Sequence, residues 1–504
     1  MTFPGDLEVP DGTTVWGYCW PLSAAAGEVV DLHCSSPTAE LHIEVARVGA
    51  TREVVWSGSA RAEHLALPAD VDTHGCDWPA TTSIEIAPQW RSGFYEVVMQ
   101  PTGGGGSEHN RAFFVVRPSE RRARILLGLS INTWNAYNDV GGTNTYTGAT
   151  RASFRRPIVR GLLHKPDGPG RRVPVIGDAD PTMADHVTYV LDNIVSQWSG
   201  SAGWPNYELP FVQWAERAGY ELDMVTNNEL ADPGTLDGYD LYLSVGHDEY
   251  WTWEMRDAVE SFVTAGGNAA FLSGNVAFWQ VRLEDEDATM IAYKQQLGDD
   301  PVLGTDRQNR LTSIWSDHLI GRPENHLTGL SFTRGGYHRI GLRCPQGAGG
   351  YQVERPEHWL LEGTDLEYGD LLGVAGTAVG YECDGCELRI GDDGRPEPTG
   401  NDGTPADFEI VALAPAAPFD HRTSVRPPAP GEPSEAEFIA QRVLGDSEAP
   451  GAQRLAHGHA VLGTFTRGGT VVTSGCTEWA AALAAGDSQI ERITRTILDR
   501  LGPR

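Results

Sequence analysis

Lysine is almost missing from this chain: of its 38 Lys and Arg residues, only Lys165 and Lys294 are lysines. The rest of the positive charge is arginine, which reads as a coding bias and not as a binding code. Positive charge is scarce altogether, since 69 Asp and Glu leave a formal net charge of −31. That excess argues against a nucleic-acid backbone or an anionic membrane as partner. No apolar run approaches the ~18 residues of a spanning helix, and no charged-then-apolar leader opens the sequence. The expectation is a soluble, cytoplasmic protein with a small-molecule substrate. Seven cysteines, scattered and odd in number, argue against a disulfide framework. Cys383 and Cys386 form one CxxC without a second pair, short of a four-cysteine zinc site. Three catalytic signatures are also missing: the G-x-S-x-G elbow, the H-E-x-x-H helix and a phosphate-binding glycine loop.

What the chain does contain is organised around Leu209–Trp279. Tyr220–Thr226 and Asp240–Val245 read as strands. Thr252 then caps a helix along which Met255, Val259 and Phe262 recur at helical spacing, and Gly266-Gly267 ends it. Asn268–Ser273 is the next strand, closed by Gly274-Asn275. Strands alternating with helices predict a parallel sheet, whose ligands sit beyond the carboxyl ends of its strands. Gly246–Trp251 and Gly274–Trp279 fall on that edge.

At 504 residues the chain has room for two or three domains. Residues 1–118 read as all-β, with six or seven short strands at the spacing of an immunoglobulin-like sandwich, among them Leu41–Val45, Phe94–Met99 and Ala112–Val116. Gly103–Gly106 is a loop tip. Residues 119–504 form the α/β part, opened by the strand Arg124–Ser130. A loop rich in aromatic and amide groups follows it: Asn132, Trp134, Asn135, Tyr137, Asn138 and, after Gly141-Gly142, Tyr146. Such a loop either faces a ligand or caps itself through its Asn side chains. Later strands are expected at Leu327–Thr333, Asp370–Val374 and Phe408–Ala414, with Arg426–Pro433 a surface excursion. Gly469–Thr473 and a helix from Trp479 to Leu501 complete the sheet.

Gly246-His247-Asp248-Glu249-Tyr250-Trp251 places an imidazole, two carboxylates and a phenol at one strand end. Cys476 in Ser474-Gly475-Cys476 is a candidate nucleophile if a histidine base lies beside it. The alternative is a metal, since phenolate and carboxylate are hard donors suited to ferric iron. On residue types alone, packing roles for His247, Glu249 and Tyr250 stand beside both readings.

The segments Glu208-Leu209-Pro210-Phe211, Ala218-Gly219-Tyr220, Gly246–Trp251, Ser273-Gly274-Asn275 and Arg322-Pro323-Glu324-Asn325 resemble the large (beta) subunit family of N,N-dimethylformamidase. The resemblance implies a three-layer α/β domain related to class I glutamine amidotransferases, without their catalytic cysteine, behind the immunoglobulin-like sandwich. It also implies hydrolysis of a small N-substituted amide or formamide at a mononuclear non-heme iron held by two tyrosines and a glutamate. Tyr250 matches one tyrosine, and Tyr207 is nominated for the other. The stretch Arg310–Trp315, where the family's glutamate belongs, has no carboxylate, which leaves Glu324 or Glu382 to replace it. In this reading Glu249 or His247 moves the proton and Asn275 faces the oxyanion, while Trp134, Tyr137, Asn138 and Trp251 line the substrate. Other readings keep the fold and change the role. The aromatic edge, with Trp279, would stack against a bound sugar without amide chemistry, or the sandwich would dock a partner; assembly into a homo-oligomer is left open.

Overall fold

The computed structural model describes residues 14–102, 109–168, 170, 173, 183–340, 343–419 and 433–502. The Gly103–Gly106 tip and Arg426–Pro433, except Pro433 itself, lie outside these residues. The N-terminal part is built from a three-stranded and a five-stranded sheet. Trp16–Trp20, Val29–Ser35 and Ala80–Glu85 form the first, antiparallel throughout. The second runs Ser23–Ala24, Asn110–Val116, Gly93–Pro101, Glu40–Val48, Arg52–Arg61. Alternate residues of both sheets meet in one apolar cluster that includes Val30, Leu32, Leu41, Ile43, Val45, Val97 and Phe114. Trp16–Trp20 shows no alternation because four of its five residues are buried, so no period-2 signal marks it.

The α/β part is a nine-stranded sheet. Its order is Asp223–Thr226, Ile125–Leu129, Leu241–His247, Asn268–Gly274, Gly469–Thr473, Gly458–Arg467, Glu409–Ala416, Tyr351–Val353, Leu371–Leu372. The first five are parallel and follow the chain order 2-1-3-4-5. The last four are antiparallel additions, so Gly469–Thr473 ends the parallel run without ending the sheet. Residues alternate between two helical layers. Leu241, Leu243 and Val245 share a cluster with Phe211 and Val212 of the helix Glu208–Arg217, and with Trp479, Ile490 and Ile493. Tyr242 and Phe271 face the other way, onto Met255, Val259 and Val263 of the helix Trp253–Thr264. Val263 closes that stripe, with Phe262 half-buried against the same cluster. Thr252 caps the helix, its hydroxyl accepting from the Met255 amide at 3.2 Å.

Three expectations are corrected. The residues after the first strand form a helix, Ile131–Tyr137, and not a loop. All seven are buried, so its amides serve as internal clamps and no polar face marks it as amphipathic. Leu327–Thr333 divides into a helical turn, Asn325–Thr328, and the strand Ser331–Gly336, separated by Gly329 at φ +82°. The C-terminal helix is two, Trp479–Ala484 and Ser488–Leu501; the Asp487 side chain caps the second by accepting from the Gln489 and Ile490 amides.

The two parts are joined through buried groups. Phe94 of the sandwich stacks on Trp204 at 4.3 Å. Arg47 reaches across to Glu216 at 2.5 Å, with Glu216 also accepting from the Ala50 amide at 2.7 Å. Removing one member of a largely buried pair leaves the other charge without compensation. Glu216→Ala is therefore expected to cost about 3 kcal/mol, read from urea midpoints against Arg47→Met/Glu216→Leu, which removes both charges and loses less. A second expectation concerns pH. Burial pushes the Glu208 carboxyl up to about 8, against hydrogen bonds from its own amide, the Ser130 amide and the Trp134 indole. The folded chain then keeps a proton that the unfolded chain releases near ~4.3. The stability that Glu208 contributes is complete below that value and is lost as pH rises toward 8. Glu208→Gln should flatten the fall in denaturation midpoint between pH 5 and 8.

Candidate functional site

The 2-1-3 strand order puts a switch point between the carboxyl ends of Ile125–Leu129 and Leu241–His247, where a crevice forms in open α/β sheets. The helix Ile131–Tyr137 leaves one end and Asp248–Trp251 leaves the other. Gly246 makes the exit at φ +85°, and a Cβ there would run into Tyr207. Asp248–Trp251 is then stitched to the neighbouring strand's exit: the Ala277, Trp279 and Val281 amides donate to the Asp248, Glu249 and Trp251 carbonyls at 2.9–3.0 Å. That neighbouring exit is strained, with Asn275 at φ +53° and Ala277 at φ +51°. Asp384 holds it, accepting from the Asn275 and Val276 amides at 3.0 and 3.1 Å. Burial pushes the Asp384 carboxyl up to about 8.

His247 and Glu249 anchor the site, both about 1% exposed. His247 Nδ1 donates to the Ser201 carbonyl at 2.7 Å. Its Nε2 lies 2.6 Å from Glu382 and 3.3 Å from Glu249, between the two carboxyl groups. Burial alone would lower the imidazole's proton affinity, but Glu382 and Glu249 outweigh it and hold His247 well above its ordinary range, as imidazolium. Glu249 is likewise opposed by burial and held below the usual carboxylate range by His247, Lys294 and Tyr146. Its oxygens accept from the Tyr146 hydroxyl at 2.6 Å, the Trp279 indole at 2.8 Å and the Tyr137 hydroxyl at 3.3 Å.

Tyr250 points its hydroxyl at Thr145, 3.2 Å away, and accepts from the Lys294 ammonium at 2.7 Å. Lys294 is 1% exposed. Its ammonium sits 3.2 Å from the centre of the Tyr146 ring and 4.7 Å from that of Trp279. Burial pulls this lysine down to about 7, with Glu249 and Glu382 acting in the opposite sense. The site thus sets two carboxyl groups, Glu249 and Glu382, beside an imidazole and an amine.

The structure brings together His247, Glu249, Tyr250, Glu382, Asn275 and Tyr137. Asn275 is turned onto Glu382, its amide donating at 3.2 Å, in place of an open oxyanion position. Tyr207 stands edge-on to His247 with ring centres 6.1 Å apart, not on the Tyr250 hydroxyl. Glu324 belongs to another pocket of the core, where Ser331 and Ser316 donate to its two oxygens at 2.5 and 2.7 Å. Trp134 packs on Phe94 and Phe113 behind the site. Asn138 clamps a loop, donating to the Pro157 carbonyl and accepting from the Val159 amide. Trp251 lies on the opposite face of the sheet against Tyr242 and Phe271. These three are packing and loop residues here, so the expected substrate wall shrinks to Tyr137. Cys476 faces Cys383 at 3.8 Å between the sulfurs and accepts from the Gly380 amide. Among the described contacts no histidine base reaches it.

Sequence reasoning missed Lys294, Thr145, the roles of Tyr146 and Trp279, and the clamp from Ser201. The scarcity of lysine was the available signal for Lys294, which the compositional reading set aside.

The expected second phenol, Tyr207, stands against the imidazole. The phenol beside Tyr250 is instead Tyr146, whose hydroxyl also donates to Glu249 at 2.6 Å, so two phenols and one carboxylate are gathered next to Lys294. Among the described residues, no three His, Cys, Asp or Glu side chains are gathered as ligands for one ion. Nor is any described helix long and apolar enough to cross a membrane.

Two curated relatives are similar to parts of this chain. The N,N-dimethylformamidase beta subunit of an Alcaligenes species is 29% identical over 206 residues, covering 36% of this chain and 25% of that protein. The N,N-dimethylformamidase beta subunit of Paracoccus aminophilus is 25% identical over 353 residues, covering 63% of this chain and 43% of that protein. The chain therefore spans less than half the length of either relative. A wider match covers residues 42–492, from the second strand pair of the sandwich to the last helix, and includes every residue of the cluster around His247. On that match the chain belongs to the family described as N,N-dimethylformamidase beta subunit-like, C-terminal.

Proposed function

We propose that this protein is an amide hydrolase acting on a small N-substituted amide or formamide at the switch-point cluster of His247, Glu249, Glu382 and Tyr250. The observation that carries the reading is the buried pairing of the His247 Nε2–H with Glu382 at 2.6 Å, which sets a proton donor and a carboxylate base side by side at the switch point. The names of the relatives supply the substrate class.

The reaction balances with the residues present. Glu382 takes a proton from the attacking water as the new C–O bond forms, and His247 gives its proton to the nitrogen as the C–N bond breaks. Carboxylic acid and amine leave. Glu382 then returns its proton to His247 across 2.6 Å, restoring the starting state. Asn275 is a positioning residue in this scheme, fixing Glu382. Glu249 keeps the imidazole charged. In this scheme the Tyr250 hydroxyl turns from Thr145 to the carbonyl oxygen, where negative charge develops.

The parallel strand order 2-1-3-4-5, with helices on both faces, supports the glutamine-amidotransferase-like reading of the α/β part. The two packed sheets, antiparallel except for the short edge pair of Ser23–Ala24 with Asn110–Val116, support the immunoglobulin-like one, with residues 1–118 as one domain and 119–504 as the other. Both relatives are named as beta subunits, so a companion chain or a second copy belongs to the same proposal, as does a cytoplasmic location. The sugar-binding alternative needed an aromatic edge, and all four of its residues, Trp134, Tyr137, Trp251 and Trp279, lie in the core.

The test is release of amine and carboxylate from N-methyl- and N,N-dimethylformamide and from longer N-alkyl amides, by the full chain alone and with the chains encoded beside it. Turnover of at least one class is expected, and Glu382→Gln should lower kcat by about 100-fold or more with the circular dichroism spectrum retained. A wild-type chain inert to all of them would end this reading. A Glu382→Gln variant as active as wild type would remove Glu382 from the mechanism.

A further inference from the structure

We propose that Cys383 and Cys476 are a site of reversible oxidation, where a peroxide converts two buried thiols into a disulfide between the segment carrying Glu382 and the exit of the fifth parallel strand. The modification is independent of the reaction at His247. Its effect on turnover rests on the amide-hydrolase reading.

The backbone sets this pair. Cys383 and Cys476 stand opposite each other in an isolated antiparallel bridge. The Thr477 amide donates to the Glu382 carbonyl at 3.1 Å, and the Asp384 amide donates to the Gly475 carbonyl at 3.0 Å. Both bonds are made by residues flanking the cysteines, so the cysteines themselves occupy the non-hydrogen-bonded position of the pair. There the Cα atoms stand about 4.5 Å apart and side chains approach most closely. A disulfide accepts Cα separations of about 4.4–6.8 Å. The sulfurs already face each other at 3.8 Å, and both are free thiols. The CxxC of the sequence divides accordingly: Cys383 shares an apolar layer with Cys476, while Cys386 lies in the layer on the other side. The partner of Cys383 is therefore a residue 93 positions away and not its neighbour in the motif.

The surroundings assign the two sulfurs different parts. The Gly380 amide aims its N–H at the Cys476 sulfur at 3.0 Å, a fixed donor for the negative charge that a sulfur carries as it attacks. Both side chains are fully buried, which shuts out a bulky disulfide and leaves an oxidant close to water in size, hydrogen peroxide. The Cys476 sulfur attacks one peroxide oxygen and the O–O bond breaks. The departing oxygen leaves as water with the Cys476 proton, and a sulfenic acid remains. The Cys383 sulfur then attacks the Cys476 sulfur, the S–O bond breaks, and the hydroxyl leaves with the Cys383 proton as a second water. Two thiols lose two electrons and the peroxide gains them. Closing the S–S bond brings the sulfurs together by roughly 1.7 Å. Cys383 lies between the two carboxyl groups that organise the strand exits. Glu382 meets His247 at 2.6 Å and accepts from the Asn275 side chain at 3.2 Å. Asp384 holds the Asn275 and Val276 amides. Oxidation therefore acts on the position of Glu382.

The full chain, reduced and then treated with hydrogen peroxide, is read by thiol count, intact mass and peptide mapping. The expected result is the loss of two thiols and about 2 Da, a mapped Cys383–Cys476 cross-link, and recovery of both thiols with dithiothreitol. In Cys383→Ala, checked for folding by circular dichroism, oxidation should stop at a Cys476 sulfenic acid that dimedone traps. A wild-type chain that keeps all its thiols, cross-links other cysteines or passes to sulfinic acid without a disulfide would overturn the proposal. Turnover of the cross-linked chain is expected to fall about 10-fold or more in kcat and to return on reduction. Unchanged kcat in a fully cross-linked chain would overturn the effect on the site. A chain inert to amides in both states refutes only the hydrolase reading, since the thiol count decides the modification by itself.

Discussion

The structure of the site depends on where the charge of Glu249 goes. A carboxylate that is about 1% exposed must recover its hydration from fixed donors or give up its charge. Glu249 does so by drawing in the Tyr146 and Tyr137 hydroxyls, the Trp279 indole and the His247 imidazole. They come from three segments: the chain after the first strand, the exit of the fourth strand and the end of the third. Satisfying one anion therefore closes the crevice at the switch point and sets the aromatic rings around the space occupied by Lys294. The strained turn at Asn275 and Ala277 becomes tolerable in this setting, because it delivers Trp279 to Glu249 and the Asn275 amide to Glu382.

How far the sequence discloses this depends on chain distance. The strands Leu241–His247 and Asn268–Gly274 are recognisable because they are apolar, short and followed by glycine. His247, Glu249 and Tyr250 are recognisable as a group because they are neighbours in the chain. Glu382 comes within view only through a resemblance, since its contacts with His247 and Asn275 span more than a hundred residues. Trp134 and Trp251 were misplaced for one physical reason: an aromatic residue at a strand end has two faces to choose from, and local pattern does not say which one is already filled. Trp251 had Tyr242 and Phe271 to pack against, and Trp134 had the sandwich's Phe94 and Phe113. The helix Ile131–Tyr137 read as a loop because its amide groups are spent inward. Asn132 donates to the Tyr250 carbonyl and Asn135 to the Ala152 carbonyl, so the polar residues that normally mark an exposed face mark the interior.

The sandwich belongs to this account as well. Phe94 and Phe113 face the α/β part, and Trp134 and Trp204 complete the layer between them. Trp134 also donates to Glu208, whose helix begins beside Gly246 and places Tyr207 against His247. A route of packed side chains therefore runs from the sandwich sheet to the imidazole without passing through solvent. Loss of packing at Phe94 would reach the site through Trp134 and the first turn of that helix.

The position of the buried charges gives the last constraint. Opposite charges in a low-dielectric interior stabilise only when they are held close and fully partnered. Here the pairs are interlocked: His247 lies between Glu249 and Glu382, and Lys294 meets Glu249 through the rings that Glu249 itself orders. Replacing either cation by a neutral group would leave a carboxylate uncompensated, and the simplest relief would be a proton on that carboxylate. A protonated Glu249 would no longer hold His247 as imidazolium or accept from both Tyr146 and Trp279 at one oxygen. The charge on Lys294 and the protonation of His247 are thus linked through one carboxylate, which makes the group beside the Tyr250 phenol a determinant of the acid–base group at the strand end.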